Sequence, residues 1–326
     1  LMRSPLLTLL FLLPACAGAP TPIEGVPDPT ENRREQDLRA AEARRRDFHA
    51  VLIRLDQAIE SYVMALNHRG EQRADDEATK LEKLIRETVL DLGPQIRAAG
   101  RTSVAELGDT FARLKAQATD GTIPSHQAIA LAALGFSGRS EVMPLILQGA
   151  QLTDPDRIDA AVLGLAVLRA PATPPGVLAA IIDNPHHPED GRTQAAWALQ
   201  QIQGASLDMG PFVDIWKRLL TAHETTPIGV LVQAVRGLGL TRKPDAADAV
   251  VPFLRHPTPL VRMAAALALG RMNAQTKALD LLDLLEPGET VQNVRMAARK
   301  ALAELAGGAD YGYDIGTWRR FFERKR

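Results

Sequence analysis

The sequence predicts an all-α fold: a solenoid of stacked helix pairs, preceded by an antiparallel helical hairpin or three-helix bundle. Three observations carry this. A small residue followed by leucine recurs six times inside apolar helical stretches, ending at Leu134, Leu165, Leu199, Leu238, Leu269 and Leu302, with successive spacings of 31, 34, 39, 31 and 33 residues. Before those copies, apolar residues keep heptad spacing from Phe48 to Leu92. Aromatics are only 4% of a chain that is 46% hydrophobic, so the core must be filled by Leu, Ala, Val and Ile, which suits helix-on-helix packing.

The first segment, 1–15, has Arg3, the apolar run Leu6 to Leu13, then Pro14-Ala15, the pattern of a secretory signal. The run falls short of the roughly 20 residues that span a bilayer. Leu13-Pro14-Ala15-Cys16 resembles the bacterial lipobox, which implies lipidation of Cys16, the single cysteine of the chain. Several acyl chains at about 0.8 kcal/mol per buried methylene would give a lasting anchor. With Ala17 and Gly18 after the cysteine, the resemblance implies sorting to the outer membrane, facing the periplasm. An ordinary signal peptide cut after Ala17 or Ala19 is the alternative. Residues 16–30 follow as the lipidated cysteine and a tether, with Pro20, Pro22, Pro27 and Pro29 favouring extended chain; the fourteen residues 17–30 at about 3.1 Å each reach roughly 40 Å.

Residues 31–120 read as the helical hairpin or three-helix bundle. Phe48, Leu52, Leu55, Ile59, Tyr62 and Leu66 form one seam; Ala74, Ala78, Leu81, Ile85, Thr88 and Leu92 form the next. Asn67 to Gly70 is the turn between them, and Gly93-Pro94 ends the second helix. A capping box at Ser103 to Glu106 opens a third, through Leu107, Phe111, Leu114 and Ala118. Arg33, Arg34, Arg44, Arg45 and Arg46 interleave with Glu35, Asp37, Glu42 and Asp47, which reads as ion pairing along a helix surface.

Residues 121–310 carry the repeats, about six helix pairs. Each small-Leu helix is followed by a break and a second apolar helix: Val142–Leu147, Val177–Ile182, Phe212–Leu220, Ala246–Leu254 and Ala278–Leu285. Pro144, Pro175 and Pro211 open three of these, where a missing amide costs nothing. Pro252 lies deeper and is expected to kink its helix. The unit Thr258-Pro259-Leu260-Val261-Arg262, leading into Met263 to Gly270, resembles the HEAT repeat of the bilin-lyase-like type. Asp154 to Arg157, Arg192 to Ala196 and Val294 to Ala298 are weaker copies, and the copy at 225–240 lacks the arginine. Small residues at each turn let helices approach to about 8–10 Å. Arg262 and Arg295 are expected to tie adjacent repeats through turn carbonyls or carboxylates. Residues 311–326 close the array, with Trp318, Phe321 and Phe322 forming an apolar stripe.

Function is narrowed by what is missing. Net charge is -1 and aromatics are scarce, so neither a basic field nor stacking platforms point to nucleic acid. His186-His187-Pro188-Glu189-Asp190 holds plausible ligand types but matches no metal motif; it reads as a solvated turn capping the next helix. His223-Glu224 is weaker. No HExxH, GxSxG or phosphate-cradling loop occurs. The expectation is therefore a non-catalytic, lipid-anchored envelope scaffold without cofactors, whose concave solenoid face binds a protein partner and whose lipid on Cys16 meets the membrane. The alternative, implied by the repeat type, is an enzyme or a chromophore- or small-ligand-handling protein.

Overall fold

The computed structural model describes residues 29–68, 72–91 and 109–324. The signal segment, Cys16, most of the tether and the Ser103 capping box lie outside them. No described helix is long and apolar enough to cross a membrane. The chain divides into two units, Leu1–His49 and Ala50–Arg326. In the first, the described residues begin helix α1 (Pro29–Asn67), a charged stretch in which Arg39 bonds Glu35 one turn away at 2.6 Å.

The second unit starts on the later turns of α1. Leu52, Leu55, Ile59 and Tyr62 are buried there, which is the predicted first seam. Helix α2 (Gln72–Leu90) buries Ala78, Ile85, Val89 and Leu90, and α3 (Asp109–Thr119) buries Phe111, Leu114 and Ala118. These helices lead directly onto the repeats. Tyr62 meets Phe136 edge-on at 5.1 Å, and α3 packs against the first repeat helix.

The repeats form two layers. The first is a row of helices in direct succession: α4 (Pro124–Gly135), α6 (Pro155–Leu168), α8 (Glu189–Gln203), α10 (Ile228–Leu240), α11 (Pro259–Arg271) and α12 (Gln292–Leu305). All six small-Leu pairs lie buried in these helices. The small residues are required. A Cβ on Gly135 would stand 2.2 Å from the carbonyl oxygen of Gly164, and one on Gly239 would stand 2.9 Å from the Ala268 Cα. Backbones therefore touch where the repeat places glycine or alanine.

The second layer holds α5 (Met143–Gly149), α7 (Pro175–Asp183), α9 (Gly210–Thr221) and α13 (Ile315–Glu323). Between α9 and α13 it changes type. The predicted helices at 246–254 and 278–285 are 3-10 structure: η2 (Pro244–Ala249), η3 (Val251–Arg255) and η4 (Gln275–Leu285). Pro252 sits at the start of η3, so the chain is broken there rather than kinked. The 3-10 form has three residues per turn, so positions three apart share a face. The buried set across η2 and η3 is Ala246, Ala247, Val250, Phe253 and Leu254, and that of η4 is Ala278, Leu281, Leu282, Leu284 and Leu285, wider than one three-residue stripe. In α9 the buried set is Phe212, Val213, Trp216, Leu219 and Leu220, an α-helical stripe.

The closing helix matches its reading. Trp318 and Phe322 are buried, Tyr311 meets Trp318 edge-on at 4.8 Å, and the Trp318 Nε1–H donates to the Gly312 carbonyl at 3.0 Å. Gly312 has φ +63°, a left-handed turn that glycine adopts without strain.

Candidate functional site

The chemistry-bearing side chains fall into three groups: ties between repeats, a buried His–Asp pair, and an open cleft. The ties involve four arginines, Arg157, Arg192, Arg262 and Arg295. Arg262 donates through Nε and Nη2 to both oxygens of Glu289, at 2.7 and 2.9 Å, and through Nη1 to the carbonyls of His256 and Pro257. Both side chains are largely removed from water, and the fork geometry is bidentate. The Arg262 bonds hold the Glu289 carboxyl below its ordinary range. This is the predicted role of Arg262.

Arg295 behaves differently. Its guanidinium lies over the Tyr313 ring at 4.9 Å, so the tie to the cap is cation–π rather than a carbonyl or carboxylate bond. Arg192 donates to the Ile182 carbonyl at 2.7 Å and Arg157 to Gln127 at 3.0 Å. Where the repeat at 225–240 lacks arginine, Leu231 fills the place and is buried.

The loop at 186–190 differs from its expectation. His187 is buried, its side chain 2% exposed, with Nε2 donating to Asp159 Oδ1 at 2.9 Å. The loop is not simply solvated, because Asp159 on α6 gives the ring a partner 28 residues away. Burial pushes the Asp159 carboxyl up, against the opposing pull of the His187 hydrogen bond. Glu189 and Asp190 open α8, as a helix N-terminus favours. The pair resembles the orienting half of a proton-transfer site, but the sealed ring leaves no face for a substrate. Among the described residues, no three His, Cys, Asp or Glu side chains converge as metal ligands would.

The cleft lies where α9 meets η2 and η3. It measures about 1190 Å³ and is lined by His223, Phe253 and His256, together with Glu224, Asp245 and Asp248. His223 meets Phe253 edge-on at 5.8 Å, and His256 stacks on the other side at 6.2 Å. His256 Nδ1 accepts from the Thr258 amide at 3.1 Å, and burial lowers the readiness of its ring to protonate. The sequence reading had noticed only His223-Glu224 of this group. Phe253 and His256 lie 30 and 33 residues further on, brought together by the repeat period. Cys16, the one predicted site residue, lies outside the described residues.

The comparisons with known proteins agree with this architecture. Residues 217–305 match the family model for HEAT repeats, which runs from the end of α9 through α12 and takes in the 3-10 segments η2, η3 and η4. No curated protein matches the chain in sequence. Among solved structures, the chain is similar to the complex of CpcE and CpcF of phycocyanin lyase from Nostoc sp. PCC7120, at 18% identity and a TM-score of 0.36. The likeness covers 74% of this chain and 89% of that one. At that level it says nothing of activity.

Proposed function

We propose that this HEAT-repeat protein is a non-catalytic scaffold of the bacterial envelope, moored by lipid on Cys16, that holds a protein partner on the concave face of its repeats. The observation that carries the reading is the unbroken first layer. Six helices stack in direct succession, with backbone contact at Gly135, Gly239 and Gly270, whereas the second layer opens into clefts of about 1190 and 620 Å³. A closely set layer is the shorter arc, so the repeats bend towards it, and its free face becomes the concave one. That face leaves Leu240, Leu260 and Met296 exposed at 46%, 45% and 49%. Rigid solenoids present such extended surfaces to partners.

The test is site-specific photo-cross-linking in intact cells. Cross-linkers at Leu260 and Met296 should capture one protein in stoichiometric yield, and one at Arg218 on the second layer should not. Equal capture from both layers, or none, overturns the reading. Cys16→Ser should release the chain from membranes without detergent; retention rejects the mooring. Small-ligand handling is the second reading, favoured by the aromatic-lined cleft. A chromophore or other small molecule co-purifying with the intact protein, and lost on Phe253→Ala, would support it instead.

A further inference from the structure

We infer that the free face of α8, α10 and α11 docks a protein segment that carries carboxylates among apolar side chains. This rests on the scaffold reading and names the chemistry of its partner.

The face is located by the bonds on its opposite side. On α8, Arg192 reaches Ile182 and Gln203 bonds the Trp216 Nε1–H at 2.7 Å, so both point into the second layer. On α11, Arg262 does the same. At 3.6 residues per turn, a residue five positions beyond the repeat arginine lies on the far side of the helix from it. Trp197, Arg236 and Leu267 each stand five beyond residues 192, 231 and 262. All three are half-buried, one on each of three successive helices. They therefore form a row across the layer, with neighbouring helices about 8–10 Å apart. Leu240, Met263 and Arg271 lie one turn away from Arg236 or Leu267 on the same side.

Arg236 is the informative member. Arg157, Arg192 and Arg262 each bond an acceptor on the protein. Among the described residues Arg236 has none, and the charge acting on it is Arg271, of the same sign. Burial and that neighbour both act against its cation. Glu304 lies against Gly270 and closes no ion pair with Arg271. A half-buried guanidinium without a partner is unfavourable unless something arrives to pair with it. A carboxylate fits the fork bidentately. Trp and Arg are also the residue types that dominate binding energy at protein interfaces. A uniformly anionic lipid surface fits less well, because Asp190, seven residues before Trp197, is exposed on the same side of α8.

The protein supplies its own reporter. Trp216 and Trp318 are both 0% exposed, leaving Trp197 as the tryptophan whose emission responds to an arriving ligand. The full chain is titrated with a hexapeptide of alternating leucine and glutamate, with its glutamine isostere, and with vesicles rich in anionic phospholipid. The glutamate peptide should shift Trp197 emission in a salt-sensitive way, about tenfold more tightly than the isostere. Arg236→Gln should weaken it about tenfold, and thermal unfolding should show that variant folded, since no internal bond is lost. Arg271→Gln, at an exposed position, is the second variant. Equal binding of both peptides, no effect of either substitution, no response at millimolar peptide, or a response to vesicles alone overturns the proposal. If cross-linking finds a partner on the first layer while the peptide fails, the scaffold reading stands and this inference falls.

Discussion

The two halves of the second layer solve one packing problem in different ways. From α5 to α9 it is α-helical, led by prolines at its first turns and filled by residues such as Trp216, fully buried with its indole bonded to Gln203. From η2 to η4 it is 3-10, although Ala246, Ala247, Val250, Phe253 and Leu254 are buried at the same spacing as the α9 stripe. The first layer is common to both, with backbone contact at Gly135, Gly239 and Gly270 and with Gln200 and Gln203 of α8 donating to carbonyls of α10. The difference teaches that one stacked layer defines the array, while the other can be wound in two ways over one apolar spacing. The cleft of His223, Phe253 and His256 lies at the junction of the two solutions.

The comparison can be broken most sharply by emptying each half. Trp216→Ala should cost about 4 kcal/mol, because it leaves a closed cavity and an unbonded Gln203. Phe253→Ala should cost about 3 kcal/mol, the low end for a buried aromatic, since the space it leaves opens onto the cleft and can take up water. Denaturant unfolding measures both, and equal losses would remove the distinction between tight and open halves.

Next is Arg262→Met, which leaves Glu289 buried without its partner and should cost about 3 kcal/mol. The same pair gives the halves opposite responses to acid. Glu289 is held low in the folded state, so its contribution is present above about pH 4.3 and is lost as pH falls through the folded value. Asp159 is held high, so the folded state keeps its proton more readily and its contribution fades as pH rises from about 3.9. Hydrogen exchange at pH 5 and pH 3.5 should show protection falling first at 255–305 and not at 155–200. The reverse order would contradict the assignment.

The smallest effect sharpens the cause of the 3-10 form. Segment η4 contains no proline yet is 3-10 over its whole length, so proline is not required for that form. Pro252→Ala should therefore leave η3 unchanged and shift stability by less than about 1 kcal/mol. A gain of α-helical carbonyl carbon shifts by NMR would show that proline sets the form of η3.

Much of the architecture was legible because it is local and repeated. The small-Leu pairs, the proline-led helices, the Arg262 tie and the aromatic cap each follow from short-range pattern. The 3-10 segments were not legible, because Ala278, Leu281, Leu282 and Leu285 have the spacing of an α-helical stripe, as do Ala246, Ala247, Val250, Phe253 and Leu254. The candidate surfaces were harder. His187 needs Asp159 from another repeat before its burial makes sense, and the unpaired state of Arg236 becomes visible only once every neighbouring acceptor is placed. The resemblance of Leu13 to Cys16 to a lipobox concerns residues outside those described.

The eleven residues of η4 also set a length. At about 2.0 Å of rise per residue they extend roughly 22 Å, against about 16 Å for the same residues wound as an α-helix. A switch of winding thus stretches one edge of a repeat by a third without adding an amino acid. An array of this kind can retune the pitch of its spiral through winding, keeping the copy number and the loops intact.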